Sequence, residues 1–165
     1  MDALFEDFGG VFGENNPQEM PVHLFFGAHQ IHYDSAIRAD ILKQNYSVCP
    51  RHWYIDAVFG CRDCKKDFIF TANEQKFWYE ERQFWIDSQP KRCPSCRKSE
   101  RRRRALRKQY DTMIKNVLGR CSLDKKKEVV EIIDELELMG EIFSERMKLN
   151  RNTLLAQLKK NEKST

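Results

Sequence analysis

No stretch of this sequence approaches the ~20 consecutive apolar residues that cross a bilayer, so no membrane-spanning helix is expected. Basic residues are missing where a secretory signal would need them, because the chain opens MDALFEDFGG. Lysine and arginine are absent from the whole of residues 1–37, which carry six acids. Histidine is scarce, and there is no Gly-rich phosphate loop, no Ser-His-Asp arrangement and no internal repeat. These absences point to a soluble, cytoplasmic protein with little catalytic equipment. A nuclease or hydrolase would have to be assembled from His29, His32, Asp34 and His52.

What the first segment lacks, a later one has in excess. Residues 38–90 balance eight bases against eight acids, and residues 109–165 set eleven bases against ten acids. Residues 91–108 hold ten bases and a single acid, Glu100. The net charge of +4 is therefore concentrated in one short stretch.

The chain reads as three parts. Residues 1–33 form an acidic N-terminal segment that is either partly disordered or docked through Leu4, Phe5, Phe8 and Phe12. Residues 34–100 form a small module, and residues 101–165 a helical region. DSAIRADILKQN (34–45) starts with N-cap types and sets Ile37, Ile41 and Leu42 on one side, which predicts a short helix. WYIDAVF then alternates Trp53, Ile55, Ala57 and Phe59, a strand pattern, and KKDFIF is a second β-type run. Thr71 and Glu74 match a capping box and predict a helix over EQKFWYEERQFW. Helices are also predicted over 97–118, stopped by Gly119, over 125–139, ended or bent by Gly140, and over NTLLAQLKK.

Six cysteines are present, and four fall in Cys61-x-x-Cys64 and Cys93-x-x-Cys96, with 28 residues between the pairs. Nothing in the chain suggests an oxidising compartment, which disfavours a disulfide framework. Two such pairs beside strands or turns supply the four thiolates of one tetrahedral metal site. Zinc is the expected ion, one per chain and structural, because four protein ligands leave no open position. Iron in a rubredoxin-like site is the alternative. The site carries two formal negative charges when it holds Zn²⁺. Arg62, Lys65, Lys66, Arg92, Arg97 and Lys98 are placed to ease them. The glycine that commonly follows such a knuckle is missing, with Lys65 and Arg97 in its place, so some backbone strain is expected.

Pro94 suits the first position of a helix whose N-terminus then carries the last two thiolates. A knuckle, a β-type segment and a ligand-bearing helix make a treble-clef-like plan. Cys49 and His52, spaced C-x-x-H, are candidates for half of a second site, with His29 and His32 as the only conceivable other half. A core thiol and a hydrogen-bonded imidazole are the plainer reading. Cys121 reads as a buried thiol, and His23 has no partner in sequence.

The stretch CPRHWYIDAVFGCRDCKKDFIFTANEQKFWYEERQFWIDSQPKRCPSCRK (49–98) resembles an uncharacterised bacterial family of zinc-ribbon, treble-clef-like domains. The resemblance rests on C-x-x-C, the following F-x-F with E-Q and an aromatic cluster, and P-x-R-C-P-x-C-R. It implies zinc at Cys61, Cys64, Cys93 and Cys96 and is nearly silent about activity.

All three tryptophans lie in this stretch, and packing around the metal accounts for most of its aromatics. FWYEERQFW holds too many rings for one helical face, so one or two should be exposed, where they could stack on unpaired bases. Arg101, Arg102, Arg103 and Arg104 sweep most of a helix circumference at about 100° per residue. A neighbour packed there would bury charge, so this turn should stand in solvent before an apolar stripe begins at Leu106. Those arginines, with Arg107 and Lys108, are either a solvated connector or a phosphate-contacting segment. The charge excess, larger than the metal site needs, favours the second reading.

The expected architecture is α+β: a small four-cysteine zinc-ribbon or treble-clef-like module followed by a helical C-terminal hairpin or bundle. That bundle should pack internally or form a dimer. The expected function is non-catalytic binding of nucleic acid or a ribonucleoprotein through the Arg-rich helix. The alternative is a protein–protein adaptor that uses the C-terminal helices, with the zinc purely structural.

Overall fold

The computed structural model describes residues 13–162 apart from Pro21, Val48 and Arg120. The expected docking residues Leu4, Phe5, Phe8 and Phe12 lie outside the described residues. The chain divides into two compact units, one ending at Cys96 and the other beginning at Arg97. Cys96, the last of the four paired cysteines, stands four residues before the boundary expected at 100. The Glu100 carboxylate pairs with Arg103 and Arg104 on the same helix. Among the described residues no helix is long and apolar enough to cross a membrane.

The first unit is built on an antiparallel sheet, β1 (Ala28–Arg38), β2 (Trp53–Gly60) and β3 (Asp67–Phe70), in the order β1-β2-β3. The helix expected over 34–45 is corrected here. Residues 34–38 belong to β1, which starts inside the segment assigned to the N-terminus, and only Ile41–Lys43 coil, as a 3-10 turn. Pairing with β2 overrides the helical spacing: Ile31 lies opposite Ala57, and Arg38 opposite Trp53. The register shifts between His32 and Ile37, and the Ser35 hydroxyl manages the irregularity. It donates to the His32 carbonyl (2.7 Å) and accepts from the Asp56 N–H (2.8 Å).

β2 and β3 form a hairpin with Ala57 opposite Phe70 and Phe59 opposite Phe68, so these side chains share the core face. Past Phe70 the sheet continues through a side chain. Gln75, fully buried, donates to the carbonyls of Ile55 (2.6 Å) and Phe70 (2.9 Å). Its own carbonyl accepts from the Ile55 N–H at 3.4 Å. Gln75 sits on α1 (Ala72–Lys76), whose start is capped by Thr71 Oγ1 accepting from the Glu74 N–H at 3.1 Å.

The helix predicted across FWYEERQFW is shorter than expected. A π-helical turn, Phe77–Glu81, follows α1 and closes with the Arg82 N–H on the Phe77 carbonyl (3.0 Å). The wider turn buries Tyr79 and Glu80 and leaves Phe77, Phe84 and Trp85 half-exposed. Residues 13–25 add Met20, Leu24 and Phe25 to the core. Buried Arg51 donates to the Leu24 carbonyl and lies over the rings of Phe25 and Tyr79.

Three helices follow: α2 (Pro94–Val117), α3 (Leu123–Leu138) and α4 (Glu145–Glu162). α2 starts at Pro94, within the first unit, and runs into the second. The predicted stripe packs internally: Leu106, Tyr110, Ile114 and Val117 join Val129, Ile132, Ile133 and Leu136 in one core, with Met147 and Leu154 of α4. α3 ends in a Schellman turn at Gly140, where φ is +78°. The Gly140 N–H donates to the Glu137 carbonyl (2.9 Å) and the Glu141 N–H to the Leu136 carbonyl (3.1 Å). This turn fixes where Glu141 emerges.

Candidate metal centre

The β2–β3 hairpin turns through residues 61–66, and this turn is the first knuckle. The Cys61 N–H donates to the Lys66 carbonyl (2.9 Å), and the Lys65 N–H to the Cys61 carbonyl (3.0 Å). Closing it requires a left-handed residue, and Lys65 takes that role with φ +63°. The strain expected from the missing glycine is therefore present at the first knuckle. At the second it is not, because Arg97 stands inside α2 with ordinary helical geometry.

Three links bring the knuckles together: the Arg62 N–H donates to the Lys91 carbonyl (2.9 Å), Arg92 pairs with Asp63 (2.6 Å), and the Cys93 N–H points at Cys61 Sγ (3.3 Å). Arg92, counted in sequence as a cation for the metal, thus directs its charge to the knuckle's own aspartate.

Cys61, Cys64, Cys93 and Cys96 place their four sulfurs within 4.8 Å of one another, and Cys64 Sγ lies 3.8 Å from Cys93 Sγ. A tetrahedral ion with metal–sulfur bonds of about 2.3 Å needs sulfurs about 3.8 Å apart. The cluster therefore fits a metal ion with four thiolate ligands and no position left for a substrate. Cys61 and Cys93 are buried, Cys96 is partly so, and Cys64 forms the exposed edge.

The thiols are electrostatically unequal. The Cys93 N–H, more than any other contact, holds Cys61 down to about 6. Cys93 is lowered, first by the Ser95 hydroxyl and then by the Cys96 N–H. Cys96, whose thiol donates to Cys93, is pushed up to about 12. Negative charge is thus favoured on Cys61 and Cys93 over Cys96, whose proton a metal would have to displace.

The second-site candidates are not brought together. Among the described residues the four cysteines are the only group of three or more ligating side chains close enough to hold an ion. Cys49 is half-buried, and burial pushes its thiol up. His52 is buried, and desolvation lowers its imidazole. His29, on β1, lies 3.9 Å from Asp67 instead of meeting His32, Asp34 and His52 in a cluster. Cys121 is half-buried against the helical core.

The arginine run stands largely in solvent, with Arg101, Arg102 and Arg104 exposed and Arg103 half-buried, but acids from α3 and the turn after it also reach it. Arg102 forms a two-pronged bond with Glu135 of α3, each prong at 2.8 Å. Arg103 pairs with Glu100 (2.9 Å) and Glu141 (3.3 Å). Arg107 reaches Glu141 (2.8 Å) and Asp111 (3.6 Å), and exposed Arg104 pairs with Glu100 (2.6 Å). Arg101 and Lys108 stand exposed. The sequence signal for this pairing is the acid-rich 128–141 stretch, which becomes a partner only once α3 folds back on α2.

Residues 55–105 match a family model described as "Probable treble clef domain". No curated protein and no solved structure gives a significant match. The match begins in β2, takes in both knuckles and ends on α2, and so covers the hairpin and the helix that supply the two ligand pairs. Over these residues the chain is similar to that probable treble-clef domain, and its four cysteines are positioned to bind a metal ion.

Proposed function

We propose that this chain is a non-catalytic zinc module that holds one end of α2 and presents the exposed face of that helix to nucleic acid, free or in a ribonucleoprotein. The observation that carries the reading is the distribution of charge around α2. At about 100° per residue, Arg101, Arg104, Lys108 and Lys115 fall within about 60° of one another. They are exposed and lie roughly opposite the buried stripe of Leu106, Tyr110, Ile114 and Val117. Arg102, Arg103 and Arg107, equal candidates in the sequence, serve mainly inside the helical unit. Zinc suits a closed four-thiolate site, and keeping the thiols reduced suits the cytoplasm.

The test is fluorescence anisotropy with labelled random oligonucleotides across a salt series. Wild-type protein binds, and Arg101→Glu with Lys108→Glu weakens binding about tenfold or more. The same pair of changes flattens the dependence of log K on log salt by nearly one unit for each phosphate no longer engaged. Arg102→Gln leaves that slope unchanged while destabilising the helical unit. Absence of binding by wild-type protein at low salt would falsify the proposal. It would favour an adaptor, a reading supported by Leu138 and Ile142, which are 89% and 95% exposed about the Gly140 turn.

A further inference from the structure

Two concavities adjoin on the helical unit. One, ≈700 Å³, follows α2 along Arg103, Arg104, Lys108 and Thr112. The other, ≈380 Å³, opens between α2 and the start of α4, with Tyr110, Ile114, Met147 and Asn150 as its floor and Arg146 at its edge. They share Arg107, Asp111 and Lys115, so the groove runs into the cleft.

The two differ in chemistry. The groove is a cationic track. The cleft has a floor of buried Ile114 and Met147 beside a buried polar pair, in which Asn150 Nδ2 donates to the Tyr110 hydroxyl at 2.9 Å. Around both, six bases (Arg103, Arg104, Arg107, Lys108, Lys115 and Arg146) face three acids: Asp111 in the lining, and Glu100 and Glu141, which pair with lining arginines. The surplus of cations survives the internal ion pairs. The Arg107 guanidinium lies across this floor, over the Tyr110 ring and 3.3 Å from Met147 Sδ, and a planar cation inside a cationic rim suits a flat group that stacks on it and carries an anion. The cleft volume lies in the range of small-ligand sites, about 300–1,000 Å³. A base held in a duplex reaches such a cleft only by unpairing and unstacking, whereas a base of a single strand is already unpaired.

We infer that the cleft between α2 and α4 takes one unpaired nucleotide of a single strand whose phosphates follow the cationic face of α2. The inference rests on the proposed nucleic-acid reading and narrows its partner class to single-stranded nucleic acid.

The test uses the full zinc-loaded chain with a labelled single-stranded 12-mer and the matching 12-base-pair duplex, at one salt concentration. The single strand binds about tenfold more tightly than the duplex, as an added base contact would give. Arg146→Glu weakens the single strand about tenfold and leaves the duplex within about twofold, while Arg146→Lys keeps most of the affinity. Leu118→Trp at the cleft mouth, which changes no charge, selectively weakens the single strand too. Equal affinity for both probes, or a single-strand affinity indifferent to Arg146→Glu and Leu118→Trp, overturns the cleft and leaves the basic-face reading standing. Failure of both probes to bind at low salt overturns the two together.

Discussion

Around Cys61 and Cys93 the chain is ordered by short strands, tight turns and polar side chains that take the place of missing backbone partners. From Arg97 onward it is ordered by three regular helices with an aliphatic core. In the first unit Gln75 completes the sheet edge at Ile55, Asp56 accepts from the Ala72 N–H (2.6 Å), and Gln44 bonds both the N–H and the carbonyl of Arg51. In the second unit backbone groups are satisfied within the helices, and polar side chains instead pair with one another. The difference teaches where each unit keeps its stability. The first unit supplements its buried aromatic core with a dense polar network, and its four cysteines offer a metal site as a further support. A helical unit draws on its stripe and tolerates charges around it.

Removing the metal should separate the two units most sharply. All three tryptophans lie in the first unit, so their fluorescence reports it, while the far-ultraviolet helical signal is dominated by the second. Chelation, or Cys93→Ser, should abolish the ordered tryptophan environment and leave most of the helical signal, because structural zinc contributes on the order of 10 kcal/mol to modules of this kind. Simultaneous collapse of both signals would break the comparison.

Acid should separate them in order. Protons compete with the metal for thiolates, so metal affinity falls as pH falls, and Cys61, held near 6, is among the last to protonate. In the helical unit, Glu100 and Glu135 are lowered from 4.5, chiefly by hydrogen bonds from Arg103 and Arg102. Their folded values lie below their unfolded ones, so the stability they contribute is present above about 4.5 and is lost as pH falls through the lowered values. In an acid titration the tryptophan transition should therefore come at higher pH than the helical one. The reverse order would show that the ion pairs, not the thiolates, are the weaker link.

The smallest effect sharpens the picture of the knuckle. Lys65 holds a left-handed conformation that costs a non-glycine residue about 1–2 kcal/mol, and glycine forfeits about 0.5–1 kcal/mol of any gain there through its freedom in the unfolded chain. Lys65→Gly should raise the melting temperature followed by tryptophan fluorescence, by an increment worth at most about 1.5 kcal/mol. Arg97→Gly, at the matching position of the second knuckle, should lower it, because there the chain is helical. Equal effects at both positions would mean that the two knuckles share one geometry.

Much of this is legible in the sequence because it is written in local chemistry. Paired cysteines at a two-residue spacing are within reach of one ion in almost any compact arrangement. Thr71 announces its cap, Pro94 its helix start, and Gly140 its turn, since each residue acts on a backbone a few positions away. The expectations that the fold corrects depend on partners far along the chain. Residues 34–38 are strand because β2 is available to pair with them. The aromatic run after Lys76 widens into a π turn that buries Tyr79 against Tyr54 and Phe70 (ring centroids 5.8 and 6.4 Å).

The arginine run shows the same division. The sequence by itself determined that 91–108 is strongly basic, that the stripe from Leu106 must be buried, and that two cysteine pairs can offer four thiolates to one metal ion, since side-chain chemistry and helical periodicity are properties of the chain alone. Only the tertiary structure decided which cations are paired with acids from far along the chain. Glu135 and Glu141 meet Arg102, Arg103 and Arg107 across separations of 33 to 38 residues. No local rule places a carboxylate that a Schellman turn and a folded-back helix must carry there.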